Sequence, residues 1–279
     1  MPELPEVETV RRTLEPLVLN LPIVDVEVLY PRILQNVDVG EYQRSLVGSS
    51  FESLERRGKY LLFGLSSKRC MVVHLRMTGR LIAASNGDVP LEKHTAVVFR
   101  FSDSSELRFS DQRKFATIHL LTWDNLDEIR GLRELGPEPL EDEFTPGLLG
   151  EILAGRKAPI KSILLDQRRI AGLGNIYADE ALFAAQIHPA RPGGDLSWVE
   201  IEKLHSAIRA VLIDAVENQG TTFRDYRTGT GTEGSFQNKL QVYGRKGEPC
   251  PRCGETLLHQ RIGGRTSVFC PVCQGDGSS

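Results

Sequence analysis

The chain opens with Met1-Pro2-Glu3-Leu4-Pro5-Glu6-Val7-Glu8-Thr9, which combines a candidate reactive amine with the start of a helix. Apolar residues recur at helical spacing as far as Val18, and Pro5 suits the first turn. We therefore expect an amphipathic helix here, packed on the strands that follow. Removal of Met1 would leave Pro2 with a free secondary amine. An α-amino group has an ordinary pKa of about 7.7–8.0, so it can act as a nucleophile at neutral pH.

Two glutamates accompany this amine. Glu3 follows it directly, and Glu6 lies one helical turn further on. Attack of a secondary amine on a carbonyl-like carbon gives an iminium ion, which is cationic without an added proton and withdraws electrons. The positive end of the helix dipole favours the neutral, reactive form of the amine. The stretch alone is more typical of an ordinary capped helix.

Composition places the chain among globular proteins. It has 279 residues, 40% of them hydrophobic and 25% charged, which allows two or three domains. No apolar run approaches the ~20 residues that span a membrane, and the acidic start is unlike a secretory signal, so we expect a cytoplasmic protein. The net charge is −3, but residues 221–265 carry eight basic and four acidic side chains. This local excess suits nucleic acid and also suits simple solubility.

Residues 21–123 have the pattern of a β-sandwich or barrel. Short alternating or apolar runs are separated by turn signals such as Asn86-Gly87-Asp88. The clearest runs are Ile23–Val28, Lys59–Phe63, Met71–Leu75 and Val97–Phe101. We predict that the N-terminal helix packs against this sheet structure.

Helical patterns dominate after a predicted linker at residues 136–150, which is rich in Pro and acidic residues. A helix over Ile160–Leu165 and a second one ending at Ala185 flank Gly172-Leu173-Gly174-Asn175, a turn that can bring backbone N–H groups to an anion. We expect Asn175 to act as the N-cap there. Ser197 and Glu200 form the capping-box pattern of a longer, structural helix. Residues 220–237 contain four glycines and few apolar residues, which predicts either a mobile lid or a disordered linker.

The C-terminal part contains two Cys-x-x-Cys pairs, Cys250/Cys253 and Cys270/Cys273. Four thiolates at this spacing predict a closed tetrahedral zinc site with a structural role. Disulfides are the alternative, although a cytoplasmic protein keeps its thiols reduced. The residues between the pairs predict a β-hairpin over Leu257–Phe269. Cys70, the odd cysteine, lies in an apolar strand and is expected to be inert.

Taken together, these segments resemble the formamidopyrimidine-DNA glycosylases, bacterial enzymes that remove oxidised purines from DNA. The resemblance rests on the opening stretch with its Arg11-Arg12 pair, on residues 172–183 and on the four cysteines. It implies an α+β multidomain protein, with an N-terminal β-sandwich and flanking helix, a helix-two-turn-helix domain and a C-terminal zinc-ribbon hairpin. The expected domains are 1–135 (catalytic), 136–150 (linker), 151–238 (helix-two-turn-helix with a lesion-capping loop) and 239–279 (zinc finger).

The resemblance also implies residue roles. Pro2 would be the Schiff-base nucleophile and Glu3 the acid/base, with Glu6 supporting them. Lys59 and Arg265 would assist the elimination steps. The expected DNA contacts are His74, His94, Arg156, Lys161, Asn175 and Tyr177, and the residues that fill the space of the extruded base are Met77, Arg113 and Phe115. Two positions depart from the usual pattern, since Arg76 stands where glycine is common and Gln112 where proline is common.

The implied partner is double-stranded DNA with oxidised bases, the implied cofactor is one structural Zn²⁺, and we expect a monomer associated with the bacterial nucleoid through its DNA. One alternative is a glycosylase resembling endonuclease VIII, which prefers oxidised pyrimidines. Another is a non-catalytic DNA-binding protein built from the helical segment and the zinc ribbon. Faster excision of oxidised pyrimidines than of oxidised purines would favour the first alternative. Binding of DNA without cleavage would favour the second.

Overall fold

The computed structural model describes residues 1–85 and 90–275, so the predicted turn at Asn86-Gly87-Asp88 lies outside the described residues. The chain divides into two compact units. The first consists of Met1–Arg133 and Asn218–Gln237, and the second of Glu134–Glu217 and Asn238–Ser279. Short 3-10 turns lie at Pro31–Ile33, Trp123–Glu128, Gly193–Asp195 and Phe236–Lys239. Within the described residues, no helix is both long and apolar enough to cross a membrane.

The first unit is a sandwich of two antiparallel four-stranded sheets. Its helices are α1 (Leu4–Val18), α2 (Val39–Leu46) and α3 (Arg130–Arg133). Its strands are β1 (Ile23–Val28), β2 (Phe51–Arg57), β3 (Tyr60–Leu65), β4 (Arg69–His74), β5 (Gly79–Ala84), β6 (Thr95–Phe101), β7 (Glu106–Asp111) and β8 (Thr117–Thr122). The strand orders are β1-β6-β7-β5 in one sheet and β2-β3-β4-β8 in the other. Inward residues of both sheets form one core with the apolar face of α1. The predicted sandwich with its flanking helix is confirmed.

Helix α1 starts where the sequence predicts. Glu3 is the N-cap, and it forms a capping box with Glu6, so that backbone N–H groups of the first turn are satisfied. Val7, Val10 and Leu14 are fully or almost fully buried against the sheets. The buried face therefore fixes the position of the N-terminal residues on the sandwich.

Residues 218–237 belong to the first unit and have defined contacts. The Gly229 N–H donates to Thr13 Oγ1 at 2.8 Å, and the Gly229 carbonyl accepts from the Ala83 N–H at 2.8 Å. Thr228 and Tyr226 are buried. The sequence suggested a mobile lid or a disordered linker because apolar residues are sparse. Hydrogen bonds of threonine hydroxyls and backbone groups order the segment here, and the mobile lid stays a prediction.

The second unit combines four helices with a two-stranded hairpin, and it completes the predicted α+β architecture. The helices are α4 (Pro146–Leu153), α5 (Ile160–Leu165), α6 (Asn175–Ala185) and α7 (Trp198–Glu217), and the strands are β9 (Leu258–Ile262) and β10 (Arg265–Phe269). Helix α4, capped by Thr145, begins inside the stretch predicted as a linker. The capping box before α7 is present, with the Ser197 N–H donating to Glu200 Oε2 at 2.8 Å. The predicted domain boundaries remain predictions.

Candidate active site and metal centre

The N-terminal turn of α1 forms a buried acidic site. Pro2, Glu3 and Glu6 are all buried. Glu6 Oε2 accepts the Glu3 N–H at 2.8 Å, and Glu6 Oε1 accepts the Thr221 N–H at 2.7 Å. The sequence-predicted nucleophile, acid/base and supporting carboxylate are thus brought together, and Thr221 joins them from a distant part of the chain.

Gly220 allows this approach. Its φ of +75° lies in the left-handed region, where residues with a Cβ are disfavoured. A Cβ built at this position would lie 2.8 Å from Glu6 Oε1. Both conformation and space therefore require glycine beside Glu6.

Lys59 occupies the two-residue turn between β2 and β3, after Gly58 with φ +55°. It is buried despite its charge. Tyr60 follows and packs edge-on against His74, with 4.5 Å between ring centroids.

His74 is neutral over the physiological range. Burial, and then the nearby charges of Arg76 and Lys59, lower its pKa to about 3. Its Nδ1 accepts the Arg76 N–H at 3.0 Å, so the ring proton sits on Nε2. The imidazole can therefore donate a hydrogen bond, for example to a phosphate oxygen, without carrying a positive charge.

The three predicted void-filling residues lie together at one end of the sandwich. Met77 and Phe115 are 39% and 53% exposed, which is high for large apolar side chains. Arg113 lies between them, with Nη1 2.9 Å from Met77 Sδ and Cζ 5.0 Å from the Phe115 ring centroid. The structure thus groups an apolar wedge, an aromatic ring and a guanidinium, as the sequence suggested. His94, in the turn before β6, is partly exposed.

Several predicted DNA contacts in the second unit are instead internal. Lys161 is fully buried, and its Nζ lies 2.7 Å from Asp179 Oδ1 and donates to the Thr266 carbonyl at 3.0 Å. Tyr177 is also fully buried. Both side chains pack inside this unit, and their contact with DNA stays a prediction.

Asn175 differs from its predicted capping role. Gly174 is the N-cap of α6, and Asn175 is the first helical residue. Its Nδ2 donates to the Thr266 carbonyl at 3.1 Å, which ties α6 to β10. Arg156 donates from Nε to the Ile152 carbonyl and remains partly exposed.

Three buried carboxylates that accept backbone N–H groups had no role in the predictions from sequence. Asp179 accepts the Val268 N–H at 3.2 Å, and Glu180 accepts the N–H groups of Gln241, Val242 and Tyr243 at 2.8–3.0 Å. The third, Asp111, accepts hydrogen bonds from the two turns that contain Met77, Arg113 and Phe115. Asp179 and Glu180 lie within the otherwise apolar helix α6, and acidic residues in such a helix were the available signal.

The four paired cysteines form the metal centre. Their sulfur atoms all lie within 4.8 Å of one another, with Cys250–Cys273 at 3.9 Å and Cys253–Cys270 at 3.5 Å. A tetrahedron with Zn–S bonds of about 2.3 Å has edges of about 3.8 Å, so this geometry fits zinc. The Arg252 and Cys273 N–H groups donate to Cys250 and Cys270 sulfurs, which stabilises thiolates. The site holds one structural zinc, with no ligand position left for water.

The hairpin beside this centre presents Arg265. Gly263 and Gly264, both with positive φ, form the turn, and Arg265 begins β10 opposite Ile262. Its side chain is exposed. Cys70, by contrast, is buried in β4, and burial raises its thiol pKa to about 12, which agrees with an inert role.

Sequence models of three protein families match nearly the whole chain. They are described as the formamidopyrimidine-DNA glycosylase N-terminal domain (residues 1–118), the formamidopyrimidine-DNA glycosylase H2TH domain (residues 135–227) and a zinc finger found in FPG and IleRS (residues 247–275). Relatives named formamidopyrimidine-DNA glycosylase occur in Symbiobacterium thermophilum, with 52% identity over 98% of this chain and 89% of the relative. In Pelotomaculum thermopropionicum the identity is 48%, over 98% and 99%.

Solved structures agree with these relatives. A complex of a mutant Lactococcus lactis FPG with a Fapy-dG containing DNA has a TM-score of 0.92 and 39% identity, over 98% of this chain and 100% of that chain. A complex of the wild-type protein from the same organism with an oxidized pyrimidine containing DNA has a TM-score of 0.91 and 38% identity over the same shares.

Proposed function

The chain belongs to the formamidopyrimidine-DNA glycosylase family and is a DNA glycosylase, and from that premise we propose that it excises oxidised purines through the nitrogen of Pro2. The burial of Pro2, Glu3 and Glu6 in one turn carries this proposal. A nucleophile held in a water-poor pocket beside carboxylates can exchange protons with groups of fixed geometry. Abasic-site lyase activity is characteristic of the family.

In the proposed reaction the Pro2 nitrogen attacks C1′ of the damaged nucleotide. The bond between C1′ and the base breaks, and the base leaves with the electron pair and is protonated. Ring opening of the sugar gives an iminium between Pro2 and C1′, with Glu3 transferring the proton to the sugar oxygen. Glu6 supports the geometry because it holds the Glu3 N–H.

Strand cleavage follows from the electron-withdrawing iminium. Loss of a C2′ proton expels the 3′ phosphate, and a second elimination expels the 5′ phosphate. Water then hydrolyses the iminium and releases the amine of Pro2. Lys59 and Arg265 are proposed to assist these eliminations. Lys59 is buried in the turn between β2 and β3, and its amine is proposed to transfer protons there. Arg265 is exposed, which leaves its guanidinium accessible for contact with phosphate.

Extrusion of the base requires the space it leaves to be filled. We propose that Met77 and Phe115 enter the base stack and that Arg113 bonds the unpaired opposite base. Their joint exposure at one end of the sandwich supports this role. The neutral His74 and the partly exposed His94 and Arg156 are proposed to contact the DNA backbone. We propose a monomer in the bacterial cytoplasm, at the nucleoid.

The test is cleavage of an end-labelled duplex with 8-oxoguanine opposite cytosine. The proposal predicts products with phosphate at both ends of the gap, and loss of excision in Pro2→Gly. Intact duplex after incubation with zinc-loaded protein that lacks Met1 would contradict it and favour a non-catalytic DNA-binding protein.

A preference for oxidised pyrimidines is the second candidate function. The similar Lactococcus lactis complex with an oxidized pyrimidine containing DNA favours testing it. Single-turnover rates on 8-oxoguanine and thymine glycol duplexes decide the question. Faster excision of thymine glycol would replace the purine assignment.

A further inference from the structure

The three predicted void-filling residues, Met77, Arg113 and Phe115, lie in two turns at the ends of paired strands. Asp111, the last residue of β7, is opposite Gly79, the first residue of β5. Met77 lies in the turn before β5, and Arg113 and Phe115 lie in the turn after β7. The strand register therefore places the two turns side by side at one edge of the sheet.

One buried carboxylate bonds to both turns. Asp111 is 3% exposed, and its Oδ1 accepts the Thr78 hydroxyl at 2.5 Å and the Arg113 N–H at 3.2 Å. Its Oδ2 accepts the Ala116 N–H at 2.7 Å. Thr78 Oγ1 in turn accepts the Arg113 N–H at 3.0 Å. Asp111 and Thr78 thus connect the turn of Met77 to the turn of Arg113 and Phe115.

Each turn contains a backbone conformation that needs such support. Arg76 and Lys114 have φ values of +55° and +58°, in the left-handed region that disfavours residues with a Cβ. Such conformations persist when the surrounding contacts enforce them. Hydrogen bonds that backbone N–H groups donate to a buried carboxylate are charge-assisted and therefore stronger than neutral ones.

We propose that Asp111, together with Thr78, is the positioning residue that holds the Met77 and Arg113–Phe115 turns in the geometry needed to enter the base stack. The proposal rests on the proposed function, because it assumes that these side chains replace an extruded base. Insertion of three side chains into one gap demands fixed relative positions. Asp111 does not reach the DNA itself; it acts through the two turns.

The chemistry of the contact allows a nearly isosteric test. In Asp111→Asn, one oxygen becomes an NH₂ group, which donates and cannot accept. Either it faces the Ala116 N–H, or it faces both the Thr78 hydroxyl and the Arg113 N–H. Thr78→Val removes the bridging hydroxyl with little change in volume, and Thr78→Ser retains it. Asp103→Asn is the matched control, because Asp103 accepts the Ser105 N–H at 2.9 Å in the exposed β6–β7 turn, away from the wedge.

The experiment compares single-turnover cleavage of two duplexes, one with 8-oxoguanine opposite cytosine and one with a preformed abasic site. Asp111→Asn and Thr78→Val are expected to slow 8-oxoguanine excision on the order of 10²-fold, as for a misplaced catalytic group. Cleavage at the abasic site needs no base extrusion and is expected to keep its wild-type rate. Thr78→Ser and Asp103→Asn are expected to behave as wild type.

A double variant tests whether the two residues act through one network. Asp111→Asn combined with Thr78→Val is expected to be no slower than the slower single variant. A 2-aminopurine beside the lesion reports insertion directly, and its fluorescence rise is expected to be delayed in both single variants.

The possible outcomes distinguish a failure of the positioning role of Asp111 from a failure of the proposed function. If wild type cleaves both duplexes and Asp111→Asn excises 8-oxoguanine as fast as Asp103→Asn, the positioning role is overturned while the proposed function stands. Equal losses on both duplexes would also overturn it, since they indicate general structural damage. Wild-type protein that cleaves neither duplex would overturn the proposed function itself.

Discussion

The carboxylate of Glu6 connects the N-terminal turn to the backbone at Thr221, 215 residues away in the chain. One oxygen accepts the Thr221 N–H at 2.7 Å and the other accepts the Glu3 N–H at 2.8 Å. A single side chain thus sets the positions of the proposed acid/base and of the segment of residues 218–237. Tyr226 in that segment is buried near Glu6, and its pKa is raised mainly by burial and then by this carboxylate.

Gly220→Ala is expected to disturb this connection. The new Cβ would lie 2.8 Å from Glu6 Oε1, and the alanine would have to adopt a φ of +75°. We expect a loss of unfolding free energy of about 1–3 kcal/mol from the conformation alone, together with slower excision. Urea denaturation and single-turnover cleavage measure the two effects.

Gly48→Ala is the matched control for backbone strain. Gly48 lies in the same unit with φ +84°, and a Cβ there would have no atom within 4 Å. It is expected to lose similar stability with no change in excision. Equally slow excision by Gly220→Ala and Gly48→Ala would show that the Glu6–Thr221 contact has no special role in catalysis.

The buried His74 predicts a pH dependence of stability. Its pKa in the folded protein is lowered to about 3 by burial, Arg76 and Lys59, whereas an unfolded histidine has a pKa of about 6.5. Between these values the unfolded state binds the extra proton, so acidification from pH 6.5 towards 3 lowers the unfolding free energy. His74→Gln should reduce this slope by up to about 1.4 kcal/mol per pH unit. Parallel curves for wild type and variant would show that His74 is not held neutral.

The Lys161–Asp179 pair is expected to show strong coupling. Lys161 is 0% and Asp179 is 1% exposed at the side chain, so removing one partner leaves a buried charge without compensation. Lys161→Met and Asp179→Asn should each cost about 3–5 kcal/mol of stability. Lys161→Met combined with Asp179→Leu should recover much of that loss, because an apolar pair avoids desolvation. Additive losses in a double-mutant cycle would contradict a direct pair.

Zinc content tests the metal centre. Metal analysis is expected to find one zinc per chain, and Cys253→Ser is expected to lower both zinc content and DNA affinity, since the hairpin that presents Arg265 is held beside the centre. Cys70→Ala, which removes a buried thiol in the other unit, is expected to keep full zinc content. Loss of zinc in Cys70→Ala but not in Cys253→Ser would refute the assigned ligand set.

Local patterns in the sequence were sufficient for much of the fold. Helix α1, the strand runs, the Ser197–Glu200 capping box and the cysteine cluster each depend on residues close together in sequence, where propensity and spacing carry the information. Long-range partners could not be predicted in this way. Nothing local indicates that Thr221 bonds Glu6, or that Thr266 accepts from Lys161 and Asn175, because these contacts depend on how the elements pack.

The candidate site likewise combines residues that could be identified from the sequence with residues that could not. The resemblance identified Met77, Arg113 and Phe115, and the structure brings them together, whereas Asp111, which holds their turns, had no separate signal in the sequence. The resemblance implied that Lys161 and Tyr177 contact DNA, and their burial is visible only in the folded unit. A charged residue in a motif can serve the fold as well as the ligand.

Borohydride trapping on a duplex with 8-oxoguanine opposite cytosine, followed by mass mapping of the cross-link, tests the central claim most directly. Reduction of the iminium fixes the DNA to the attacking nitrogen. The account predicts an adduct on Pro2 that is absent in Pro2→Gly. An adduct on a lysine would keep the lyase chemistry but assign another nucleophile. No adduct, with zinc-loaded protein whose mass shows that Met1 has been removed, would contradict the mechanism.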